Sequence, residues 1–156
     1  MEEHLKATDN SDDWRLLFRT FKALDRAREI ELEQIGVTTI QADVLYALKT
    51  ANEPVIPSKL SRWLYREPHT ISGLINRMEE QGLVRKSKDL GKKNLVRVTL
   101  TKEGEQAYQQ TLGVKVFPKI LSCLSNKELG NLKSYLDKLH TGAFGAIKEL
   151  QPLPYS

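Results

Sequence analysis

The chain is poor in the residues from which metal and catalytic centres are usually assembled. Cys123 is the single cysteine in 156 residues, which excludes an intrachain disulfide framework and a thiolate cluster. The three histidines, His4, His69 and His140, lie far apart, and no helix pairs two of them at ligand spacing, so no metal site is expected. There is no glycine-rich phosphate loop, Walker motif or G-x-S-x-G nucleophile turn. The paired carboxylates Glu2-Glu3 and Glu79-Glu80 are adjacent in sequence and cannot share a helix face. They read as solvated charges rather than a general acid and base. No catalytic residue and no cofactor is expected, and the chain does not read as an enzyme. Long apolar runs are also missing; none approaches the roughly 18 residues of a membrane span. The opening MEEHLKATDNSDD is acidic and polar, unlike a secretory or transit signal, so a cytoplasmic location is expected.

Charge is present, but unevenly placed. Residues 55–102 hold eleven Lys and Arg against four Asp and Glu, a local +7. The remaining residues hold thirteen against sixteen, or −3. A positive field concentrated on one segment suits a polyanionic partner, although a charge run often means only a solvated face.

The same segment carries the clearest structural pattern. Ile56, Leu60 and Leu64 mark a short helix opened by Pro57, a residue suited to the first helical position. Glu67-Pro68 should end it, because a residue before proline is pushed out of the α region. In the helix that follows, residues 68–81, Ile71, Leu74, Ile75 and Met78 define a buried face. Its other face carries His69, Thr70, Ser72, Gly73, Asn76 and Arg77, a polar set rich in donors and acceptors, as a helix in a DNA major groove needs. Gly82 is the expected left-handed stop. Leu83-Val84 and residues 95–100 read as strands joined by a lysine-rich loop bending at Gly91. Helix, turn, helix and hairpin in this order make a winged helix-turn-helix. Val55-Ile56 is a candidate third strand against the hairpin.

The flanks are helical. Ser11 or Asp12 can cap a first helix whose stripe is Trp14, Leu17, Phe18, Phe21 and Leu24, continuing through Ile30 and Ile35 to Gly36. Thr38 or Thr39 begins a second, with Ile40, Val44, Leu45 and Leu48 inward. After the wing, Thr101 caps a long helix running to Leu124, kinked at Pro118. Ser125 and Glu128 make a capping box for a last helix lined by Leu129, Leu132, Tyr135, Leu136 and Leu139, loosened towards Gly142 and Gly145. The expected organisation is a flexible segment 1–10, an N-terminal dimerisation helix 11–36, a DNA-binding lobe 37–101, dimerisation helices 102–150 and a tail 151–156. The flanking helices exceed what a winged domain needs, and a second copy of the chain is the simplest supplier of cover for their apolar stripes. Among Ile120, Leu121 and Leu124, Cys123 reads as buried and structural rather than as a redox sensor.

Residues 38–104 resemble the MarR family of bacterial transcription regulators. The resemblance is carried by TISGLINRMEEQGLV at residues 70–84, a basic wing, and VTLTKEG at residues 98–104. The wing departs from the family pattern: its usual Asp and Arg fall at Lys92 and Asn94, so the usual internal ion pair is expected to be missing. The resemblance implies a mostly α fold with a small β-hairpin wing, and a homodimer joined through its terminal helices. The corresponding function is sequence-specific regulation of transcription, more as repressor than as activator, on a pseudo-palindromic DNA.

In that reading Pro68, His69, Thr70, Ser72, Gly73, Asn76 and Arg77 meet base edges or nearby phosphates. His69 reads equally well as a capping or surface residue. Ser58 and Lys59 hold backbone phosphates, and Lys86, Lys88, Lys92 and Lys93 follow the flanking backbone or minor groove. Relatives commonly release DNA when a small aromatic compound binds between the dimerisation helices and the lobe. Trp14, Leu17, Phe18, Phe21 and Tyr46 are the candidate walls here, or else plain core. The rival readings are a winged module that binds a protein partner and a nonspecific architectural DNA binder.

Overall fold

The computed structural model describes residues 11–91 and 94–150. The expectations for residues 1–10, Lys92, Lys93 and 151–156 fall outside the described residues. The chain divides into two compact units between Val116 and Phe117.

The first unit opens with α1, Ser11–Glu33. Its C-terminal end enters the core through Leu32, while Trp14, Leu17, Phe18 and Phe21 stand exposed. Next comes α2, Thr39–Thr50, which starts at the expected place because Thr38 and Gln41 form a reciprocal capping box. Gln41 is buried, and its amide also donates to the Gln81 side chain at 2.7 Å. That bond fixes the start of α2 against the next helix pair. The pair is α3, Pro57–Trp63, and α4, Pro68–Glu80, each with proline in its first turn. Helix α3 ends earlier than the Glu67-Pro68 signal implies. Tyr65 takes a left-handed φ of +50°, and the buried Ser61 hydroxyl donates to the Arg66 carbonyl at 2.5 Å, closing the turn before the proline can act.

Leu60, Ile71, Leu74, Ile75 and Met78 are buried with Val44 and Leu45, so α2, α3 and α4 share one core. Gly82, at φ +74°, reverses the chain as its lack of a Cβ permits. The hairpin that follows is β1, Val84–Ser87, and β2, Arg97–Leu100, antiparallel with Val84 opposite Leu100 and Ser87 opposite Arg97. Strand β1 runs further, and β2 is shorter, than the apolar runs alone indicated. Val55 forms the expected third pairing as a single bridge to Val98, whose N–H donates to the Val55 carbonyl at 2.9 Å.

Thr101 caps α5, Lys102–Leu112, by accepting the Gly104 N–H at 3.0 Å. Ala107 and Tyr108 join the core, so the compact unit continues past the boundary expected at Thr101. The long kinked helix expected through Pro118 is instead two helices. Helix α5 stops at Gly113, and α6, Val116–Leu121, begins anew. Pro118 sits in the first turn of α6, where its missing N–H costs nothing. The N–H groups of Lys115 and Val116 donate to the Glu31 carboxylate of α1, each at 2.7 Å.

In the second unit α7, Asn126–Leu150, opens on the expected capping box. The Ser125 N–H donates to Glu128 at 2.8 Å and the Glu128 N–H to the Ser125 hydroxyl at 3.3 Å. The Ser125 N–H first, and then its hydroxyl, which donates to the same carboxylate at 2.7 Å, hold the Glu128 carboxyl below its ordinary range. Gly142 and Gly145 do not interrupt the helix. None of its residues is buried, and Tyr135, Leu136, Leu139, Phe144 and Ile147 are exposed. Cys123 is exposed too, contrary to the buried position its apolar neighbours suggested. The short α6 ends at Leu121, before that stripe can cover it. No described helix is long and apolar enough to cross a membrane.

Candidate nucleic-acid interface

The apolar face of α4 is buried in full: Ile71 and Met78 are 0 % exposed, Ile75 1 % and Leu74 4 %. That burial fixes the rotation of the helix and leaves Pro68, His69, Thr70, Ser72, Asn76 and Arg77 on the exposed side. Gly73 is half-buried, and the Arg77 guanidinium lies 3.6 Å from where a Cβ would stand on it. That is ordinary van der Waals distance, so the arginine one turn on lies along this stretch of the helix without requiring the glycine. Ser58 and Lys88 are exposed as well.

Two of the lysines assigned to phosphates are already engaged. The Lys59 ammonium lies 2.7 Å from the Glu53 carboxylate and donates to the Pro54 carbonyl at 3.2 Å. Lys86 is held more tightly. Its backbone N–H donates to Glu79 Oε1 at 2.9 Å, and its Nζ lies 2.9 Å from Glu79 Oε2. The same Nζ donates to Asn76 Oδ1 at 2.8 Å. Glu79, read from sequence as a solvated charge, therefore latches β1 onto α4. The two hydrogen bonds from Lys86, the backbone one first, hold the Glu79 carboxyl below its ordinary range. With a folded-state pKa below the unfolded one, the latch is in place above the unfolded value and is lost as pH falls through the folded one.

The wing also differs from expectation. An internal ion pair is present after all, formed by Arg97 and Asp89, with the Ser87 hydroxyl donating to Asp89 at 3.2 Å. Sequence spacing missed it because the partners flank the loop rather than sit beside the expected Lys92 and Asn94. Arg62, Arg66 and Arg85 are exposed cations of the same segment that no motif singled out. Among the described residues no cluster of His, Cys, Asp and Glu could hold a metal ion.

A polar helix face, set beside a hairpin on a cationic lobe, is the geometry of a winged DNA reader. Comparison with known proteins agrees. The model of the MarR family matches residues 35–98. The organohalide-sensing transcriptional regulator RdhR-CbdbA1625, in its 2,4-dichlorophenol-bound form, superposes with a TM-score of 0.80 at 25 % identity, over 100 % of this chain and 96 % of that one. The regulator SlyA gives 0.79 at 23 % identity, over 90 % and 99 %. The S. aureus MepR–DNA complex gives 0.73 at 21 %, over 83 % and 97 %. At those lower identities, the last two likenesses speak for the fold alone. No curated protein matches the sequence. The MarR family model thus matches the helix-turn-helix and wing of this chain, whose fold is that of solved winged helix-turn-helix transcription regulators.

Proposed function

We propose that the protein is a homodimeric, sequence-specific repressor in which each lobe sets α4 into a major groove of a pseudo-palindromic operator. The observation that carries this reading is the division of α4 into a wholly buried apolar face and an exposed face of hydroxyl, amide and guanidinium groups. Arg77 and Asn76 have the reach for base edges, and Thr70 and Ser72 for bases or nearby phosphates. Lys88 and the exposed arginines supply sequence-independent attraction. A winged protein-interaction module has less reason to gather +7 on this segment.

If the dimer neutralises about 6–8 phosphates, log K against log[salt] should slope at roughly −5 to −7. Titration of a labelled duplex across a salt series measures it, and a flat line would remove the basic surface as the docking face.

Effector control belongs to the same proposal. RdhR-CbdbA1625 was solved with 2,4-dichlorophenol bound. In this chain Trp14, Leu17, Phe18, Phe21 and Tyr46 are exposed apolar side chains. A ligand there relieves repression only by binding the DNA-incompetent state more tightly, since equal affinity shifts nothing. Operator affinity should fall with concentration for some member of a panel of phenols and aromatic acids, and Phe18→Ala or Tyr46→Ala should alter that response. A panel without effect on either protein would refute effector control.

A further inference from the structure

The latch between α4 and β1 does more than join two elements. Lys86 is a donor only, so the Asn76 atom facing it is the carboxamide oxygen, whichever way the amide is drawn. The Asn76 NH2 is thereby turned outward on the exposed face of α4. Of the three N–H bonds of the Lys86 ammonium, one goes to Glu79 and one to Asn76, leaving one for a ligand.

We infer that Lys86 is a specificity-positioning residue. It places an ammonium on the Asn76 oxygen and turns the NH2 outward, so that the pair selects guanine over adenine at one position of each half-site. This rests on the reading of α4 as the major-groove helix. The chemistry follows from the base edges. An unconstrained asparagine suits adenine, giving a hydrogen to N7 and taking one from the N6 amino group. Here the oxygen that would take that hydrogen already accepts from an ammonium, so the adenine amino group would meet positive charge. Guanine presents two acceptors, N7 and O6, which match the Asn76 NH2 and the remaining Lys86 N–H. Glu79 sets the geometry, because it grips both the backbone N–H and the ammonium of Lys86. A lysine acting only as a phosphate contact would need no such grip.

The test begins with selection of preferred duplexes from a randomised library by the unaltered protein, followed by affinities for single-base variants. Asn76→Ala identifies the position that depends on Asn76, which should be guanine in the unaltered protein. Lys86→Met frees the carboxamide and should shift the guanine-to-adenine ratio there towards adenine by about tenfold, with preferences elsewhere unchanged. Glu79→Gln keeps the Lys86 charge and should move the ratio in the same direction at an undiminished salt slope. In an Asn76→Ala background, Lys86→Met should no longer change the ratio. Adenine preferred at the Asn76-dependent position, no such position, or Lys86→Met weakening every duplex alike would each overturn the inference while leaving DNA binding intact. Unaltered protein that prefers no duplex overturns the underlying reading as well.

Discussion

Leu136→Asp should convert the protein to monomer and abolish operator binding. Leu136 is 50 % exposed on α7, between Leu132 and Leu139 at helical spacing. That 25-residue helix buries none of its own side chains yet exposes Tyr135, Leu136, Leu139, Phe144 and Ile147. Covering a leucine is worth about 1.5–3 kcal/mol, so the stripe holds enough unspent apolar surface to join two chains. A buried, unpaired carboxylate costs roughly 3 kcal/mol or more, and a twofold dimer contains it twice. The change in helix propensity is small beside this, under about 0.7 kcal/mol. Helical content by circular dichroism should therefore survive while sedimentation reports half the mass. Dimer retained at micromolar concentration would move the interface off this face of α7.

Gly104→Ala should have the largest effect on folding of any conservative change in the lobe. Gly104 lies in the first turn of α5, and its lack of a side chain is required by a neighbour rather than by its backbone angles. A Cβ there would stand 1.9 Å from the Leu83 carbonyl oxygen and 3.3 Å from Leu100 Cδ2. The carbonyl cannot retreat freely, because it accepts the Thr101 N–H at 3.1 Å. The Gly104 N–H is in turn held by the Thr101 hydroxyl, whose own hydrogen goes to the Gly82 carbonyl. Strand, turn and helix must all shift together to admit one methyl group. Overpacking typically costs about 1–3 kcal/mol, and backbone as the obstacle puts this site at the upper end. At about 2–4 °C per kcal/mol, Tm should fall by roughly 10 °C. Helix propensity pulls the other way, favouring alanine by about 1 kcal/mol, so a raised Tm would show that the close approach is not there.

The parts of the fold that sequence revealed are those set by local spacing. Ile71, Leu74, Ile75 and Met78 could only face one way, and Thr38, Thr101 and Ser125 announced three helix starts through their own hydroxyls. The missed features depend on contacts between segments or on where an element happens to stop. Glu79 and Lys86 lie on either side of the Gly82 turn, and only the closed hairpin brings the carboxylate onto both nitrogens. Asp89 and Arg97 meet across a loop whose residues gave no hint of the pairing. Gly104 shows no turn signal, because its constraint is the Leu83 carbonyl above it. Cys123 was placed by its apolar neighbours, but α6 ends before they can bury it. Of the site itself, the exposed face of α4 was legible residue by residue. The commitment of Lys59 to Glu53, and of Lys86 to Glu79 and Asn76, was not, since a lysine in sequence carries no mark of its partner.

The most direct test of the central claim is the affinity of the protein for its selected inverted repeat against the same bases scrambled, at one fixed salt concentration. Sequence reading by two copies of α4 predicts two chains per duplex and a preference of about a thousandfold or more for the repeat. Equal affinity for the two duplexes would contradict it, and would leave a basic winged lobe that binds DNA without reading it.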